Sequence, residues 1–156
     1  MGIAIHLQEY LNQKDINYDV VSHDYTENSL TTARTAHISG DCVAKSVLLE
    51  DDFGFVMAVL PATHRLSLAD IKAFTHRNLM LAAEDELGEI FNDCELGAIP
   101  AVGDAYGMEM LVDDSIAEKS DVYFEAGDHQ NLIHVDSEEF ADLTENAERL
   151  TFSHHI

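Results

Sequence analysis

Two apolar runs separated by three acids constrain this chain most. VAKSVLL at 43–49 and FGFVMAVL at 53–60 are rich in Val, Leu and Phe, and Glu50-Asp51-Asp52 between them supplies a turn. Runs of this length and spacing predict a β-hairpin, and the rest of the chain has to be read around it.

On the N-terminal side, Ile3, Leu7, Tyr10 and Leu11 recur at helical spacing and predict an amphipathic helix over 3–13. Residues 16–21 alternate weakly and read as a strand, and the polar stretch 25–30 reads as a loop. Residues 31–38 suit a second helix with Thr32 as its N-cap, closing at Ser39-Gly40. After the hairpin, Ser67 and Asp70 make a capping-box-like start to a helix over 67–74, with Leu68, Ile71 and Phe74 on one face. A short strand at 78–82, an acidic helix at 84–90, and strands at 109–112, 121–125 and 131–135 follow. The last helix spans 137–146, with Phe140 and Leu143 inward, and His154-His155 reads as a solvated tail. No repeat or linker interrupts this order. It predicts one α+β (mixed α/β) domain over 1–156, with a central mixed sheet flanked by short helices.

The 156 residues carry 30 acids against eight Lys and Arg, a net charge of −22, which argues against non-specific nucleic-acid binding, DNA included. The charge is unevenly spread. Residues 34–77 hold five bases (Arg34, Lys45, Arg65, Lys72 and Arg77) and five acids, and the remainder accounts for the whole excess. Such a neutral island on an acidic body either surrounds a site for an anionic ligand or is simply what a solvated acidic surface, suited to solubility or a salty cytoplasm, leaves over. The apolar stretches run to about ten residues, half of a membrane span, and the N-terminus lacks a basic region before an apolar run. A cytoplasmic protein without membrane contact is the expectation. Cys42 and Cys94 stand alone, without CxxC spacing, and are expected to be reduced.

Few residues invite chemistry. Lys45 interrupts an apolar strand, so its ammonium either points to solvent or holds an anionic or carbonyl group in a cleft. GAIPAVG at 97–103 brings small residues and a stiffening Pro100 together, and such a loop can present N–H groups to a developing oxyanion. It also suits an ordinary tight turn. His23 and His129 are candidate acid/base groups, and either also fits a surface or capping role. No nucleophile elbow, zinc-protease motif, dinucleotide fingerprint or P-loop is present.

Taken in order, VAKSVLL, FGFVMAVLPATHRLSLADIKAF, FNDCELGAIPAVG and VYFEAGDHQNLIHVDSEEFADL resemble the YbaK/prolyl-tRNA-synthetase-associated editing domain family over about residues 3–145. The resemblance implies a mixed, partly barrel-like sheet and hydrolysis of the ester on mischarged tRNA, acting in trans with no metal or other cofactor. It implies that Lys45 contacts the terminal nucleotide region and that Gly97 and Ala98 position the aminoacyl group, these three forming the catalytic set. The substrate-binding set it implies is His23, Ser46, Ile99, Pro100, Gly103 and His129. Where some members carry an acid near the second strand of the last hairpin, this sequence has Leu132-Ile133. The implied partners are mischarged tRNA and an aminoacyl-tRNA synthetase. Two other readings stand beside this one: a binding or regulatory module sensing an amino-acid-like ligand, and an acidic protein-interaction domain recruited to a synthetase complex.

Overall fold

The computed structural model describes residues 2–26 and 28–156. In chain order they form α1 (Ile5–Gln13), β1 (Asp19–Ser22), α2 (Ser29–Thr35), β2 (Val43–Asp51), β3 (Gly54–Pro61), β4 (His64–Leu66), α3 (Leu68–Thr75), β5 (Met80–Leu81) and α4 (Glu84–Ile90). Then come β6 (Glu109–Asp113), α5 (Asp114–Ala117), β7 (Asp121–Glu125), β8 (Asn131–Asp136), α6 (Ser137–Leu143), β9 (Glu148–Leu150) and β10 (Ser153–His155).

The predicted hairpin is the centre of the molecule. β2 and β3 pair antiparallel from Ala44↔Pro61 to Asp51↔Gly54. The large sheet runs β1-β8-β7-β2-β3-β6-β9, with β5 attached to β2. β2 and β7, β3 and β6, and β6 and β9 are parallel, so the sheet is mixed as expected. Both faces of the hairpin are covered. Met57 and Val59 pack with Leu7, Leu11, Phe91, Phe124 and Phe140, whereas Val56, Ala58 and Leu60 pack with Ile71, Leu79 and Phe152. A strand buried on both faces needs no polar alternation, which is why FVMAVL reads as a continuous apolar run.

Local chemistry sets the helix ends. Asp136 accepts from Glu139 N–H at 2.9 Å, and Ser67 accepts from Asp70 N–H at 3.2 Å, as its sequence signature predicts. Two details differ from the sequence expectation. The N-cap of α2 is Asn28, which accepts from Thr31 N–H at 2.8 Å, and Thr32 is instead fully buried within the helix. In α3 only Ile71 is buried, while Leu68 and Phe74 are exposed, because a single turn of this short helix reaches the sheet. The C-terminal residues are also more ordered than a solvated tail: Ser153–His155 pairs antiparallel with β4. Cys42 and Cys94 are free thiols.

Candidate active site

β2 loses its sheet partner along one edge for a few residues, and a cavity opens there. On that edge β7 pairs only at Val43↔Tyr123 and Ala44↔Phe124, and β5 pairs only at Leu49↔Leu81 and Glu50↔Met80. Between these contacts lies a cavity of about 280 Å³ lined by residues 44–48 of β2. Lys45 and Glu125, the next residues on the two strands after their last pair, both line it. Leu96, Gly97 and Ile99 form another wall, and Leu81, Ala82, Glu84 and Leu87 bound it on the side of α4.

Lys45 is half-buried. Its ammonium donates to His64 O at 2.7 Å and, more weakly, to Ala62 O at 3.5 Å. An ammonium has three donors, so one remains for a ligand. Burial lowers the Lys45 pKa, and the Arg65 charge nearby lowers it further.

The loop is pinned along its length. Before it, Asp93 accepts from His6 N–H and Nδ1 at 2.9 Å each and from Tyr106 OH at 2.9 Å. Glu95 N–H donates to Gly127 O at 2.8 Å, and Ser46 Oγ donates to Ile99 O at 3.0 Å. His129 Nε2 meets Leu96 O at 2.6 Å, and since a carbonyl only accepts, Nε2 carries the proton. Gly97 sits at φ 84°, in the left-handed region that glycine enters without strain. Its N–H has no partner among the described residues. Cys94 beside the loop is no nucleophile at neutral pH, because burial pushes its thiol up to about 12.

The structure therefore brings Lys45, Ser46, Gly97 and Ile99 to one cavity, and it places the other sequence candidates around it. Ala98 is fully buried outside the lining, and its N–H is already given to Glu95 O at 3.1 Å. Pro100 is buried and also outside the lining. Gly103 lies away from the cavity in a 3₁₀ turn, where a Cβ would fall 2.9 Å from Met108 O, so close packing accounts for this glycine. His23 and His129 do not line the cavity either. They bracket the turn after β7, with His23 N–H donating to Gln130 O at 2.8 Å.

The neutral island is not one face. Lys45 alone of its five bases lines the cavity. Arg77 forms a two-pronged pair with Asp51 at 2.6 and 2.7 Å, at the turn end of the hairpin, and holds that carboxyl down at about 2.

Glu125 was missed by sequence reasoning. It is 3% exposed, its Oε1 accepts from Thr32 Oγ1 at 3.0 Å, and its Oε2 has no partner among the described residues. Burial pushes its pKa up to about 7. The signal was an acid ending the apolar strand DVYFE directly before Ala126-Gly127, a place where a surface acid looks the same.

A model of the aminoacyl-tRNA editing domain family matches residues 23–143. The chain belongs to this family. Among solved structures, the editing domain resembles a candidate trans-editing enzyme for prolyl-tRNA synthetase, with a TM-score of 0.84 at 19% identity over 97% of this chain and 96% of that one. It also resembles a scaffold protein used for computational epitope grafting, with a TM-score of 0.83 at 15% identity over 98% and 97%. A candidate signal-transduction protein from Marinobacter aquaeolei gives a TM-score of 0.80 at 22% identity, over 96% of this chain but 30% of that one. At these identities the likenesses establish the fold. No curated protein matches the chain in sequence. Family membership places the role of the chain in tRNA editing.

Proposed function

We propose that this editing domain is an aminoacyl-tRNA deacylase, hydrolysing the ester between an amino acid and the terminal ribose of a mischarged tRNA. The observation that supports the reading is the break in strand pairing, beside which Lys45, with a spare donor, and Gly97, whose N–H has no partner among the described residues, line one cavity. Water attacks the ester carbonyl, negative charge develops on the carbonyl oxygen, and the bond to the ribose oxygen breaks. That step releases the amino acid and leaves the ribose hydroxyl. Donors fixed in advance stabilise the developing oxyanion without reorganising, and orientation of the ester supplies the rest. The neighbouring ribose hydroxyl assists from the substrate's side. Gly97 N–H and Lys45 Nζ take these roles, with Ser46 holding the loop in register. The protein works in the cytoplasm on tRNA, with a synthetase as a further partner.

The test is hydrolysis of a panel of mischarged tRNAs by the purified chain. Release of at least one amino acid above the uncatalysed rate is expected. A panel left intact would remove the deacylase reading. One observation favours a second reading, a binding module: the same fold occupies under a third of a candidate signal-transduction protein. Tight binding of aminoacylated tRNA without hydrolysis would support it.

A further inference from the structure

The buried side-chain atoms without a partner among the described residues are His23 Nε2, Glu125 Oε2 and His129 Nδ1, all around the turn that follows β7. Buried polar groups are nearly always satisfied, so such a group needs an explanation. Their partners fix their character. His129 Nε2 faces Leu96 O and His23 Nδ1 faces Asp24 O at 2.6 Å, so in the neutral rings the remaining nitrogens are acceptors. The Glu125 carboxylate is an acceptor too. The turn thus gathers acceptors that lack donors. Asp128 is not among them: it already accepts from Gln130 N–H, Asn131 N–H and Asn131 Nδ2. Of the three residues, only Glu125 lines the cavity, and Lys45 stands across the unpaired edge with its ammonium bonded to carbonyls rather than to Glu125.

We infer that Glu125 receives the α-ammonium of the esterified amino acid. The inference rests on the deacylase reading for the ester, but not for the amine. An aminoacyl-adenosine end is cationic at its amine and anionic at its phosphodiester, and the cavity has Glu125 on one strand and Lys45 on the other. An anion beside Glu125 would meet its like charge and, around the turn, ring nitrogens that only accept. An ammonium brings donors and the charge that a desolvated carboxylate lacks.

The test uses non-hydrolysable 3′-aminoacylamino-3′-deoxyadenosines carrying glycine, alanine, serine and leucine, each with a free and an N-acetylated amine, titrated by calorimetry. The wild-type chain is expected to prefer the free amine for its best ligand by on the order of 10-fold or more. Glu125→Gln, which keeps the shape and removes the charge, is expected to bring that preference to within about 2-fold while retaining the N-acetyl affinity. Equal affinity of the wild type for both forms, no binding of any analogue, or an undiminished preference in Glu125→Gln would each overturn the inference. Should Glu125→Gln not fold, the wild-type ratio still decides. Parallel hydrolysis of free and N-acetylated aminoacyl-tRNA separates the two proposals. Equal hydrolysis of both ends the amine assignment and leaves the deacylase standing, whereas amine-selective binding without hydrolysis does the reverse.

Discussion

A carboxyl group held in a cavity wall with one donor shifts the pH dependence of the whole fold. The Glu125 pKa rises from an ordinary carboxylate value to about 7, because burial disfavours its charge. A raised acid pKa means that the folded state holds a proton the unfolded state has lost. Stability from this group is therefore complete below about pH 4.5 and declines as pH rises through 7. Glu125→Gln, which cannot ionise, should match the wild type near pH 4.5 and exceed it by ~3 kcal/mol above pH 8, by the shift-to-energy relation. Denaturant melts of both proteins across that range check this; a pH-independent difference would mean that the carboxyl is not desolvated. Lys45 shows the opposite legibility. A cation inside VAKSVLL stands out in the sequence, and the structure puts it on the cavity. Glu125 did not stand out, because only the break between β2 and β7 turns a strand-end acid into a cavity wall. Lys45→Arg should restore little activity, since a planar fork replaces neither the compact charge nor its bond to His64 O.

At the scale of elements, the 96–99 loop is held by side chains that lie far from it in sequence. Gly97→Val forces a β-branched residue into the left-handed region, at a cost of about 1–2 kcal/mol or more. Turnover should be abolished while the circular-dichroism spectrum stays that of the wild type; wild-type turnover would return the loop to a merely structural role. Ser46→Ala removes the bond to Ile99 O and should lower single-turnover rate about 10-fold, the equivalent of one hydrogen bond. Ser46→Thr, which keeps the hydroxyl, should largely recover it. Much of the element order was legible: the hairpin, the 121–125 strand and the Ser67 cap follow from apolar runs and cap chemistry. What was not legible depends on tertiary partners. His64–Leu66 and Ser153–His155 are three-residue strands that exist because they pair with each other. Thr32 looks like a cap until Glu125 is seen to use its hydroxyl.

For the whole molecule, a net charge of −22 sets how tRNA can be held. The sequence suggested that the neutral segment 34–77 forms the least negative face around the site, but charge balance along a segment does not fix where side chains end up. Arg77 is spent on Asp51 and on Glu109 at 3.4 Å, far along the hairpin from Lys45. With so few cations free for phosphates, the plot of log affinity against log salt should have a slope of about −3 or shallower. A steep slope in filter binding would show a basic surface that the fold does not present. On the proposed deacylase reading, recognition rests on the cavity rather than on the duplex. The most direct measurement is single-turnover hydrolysis of the mischarged tRNA the wild type cleaves best, by wild type and Lys45→Ala side by side with their melting curves. A loss on the order of 10²-fold in rate is expected, comparable to removing one oxyanion donor, in a variant that still melts cooperatively. Hydrolysis by Lys45→Ala at the wild-type rate would contradict that expectation.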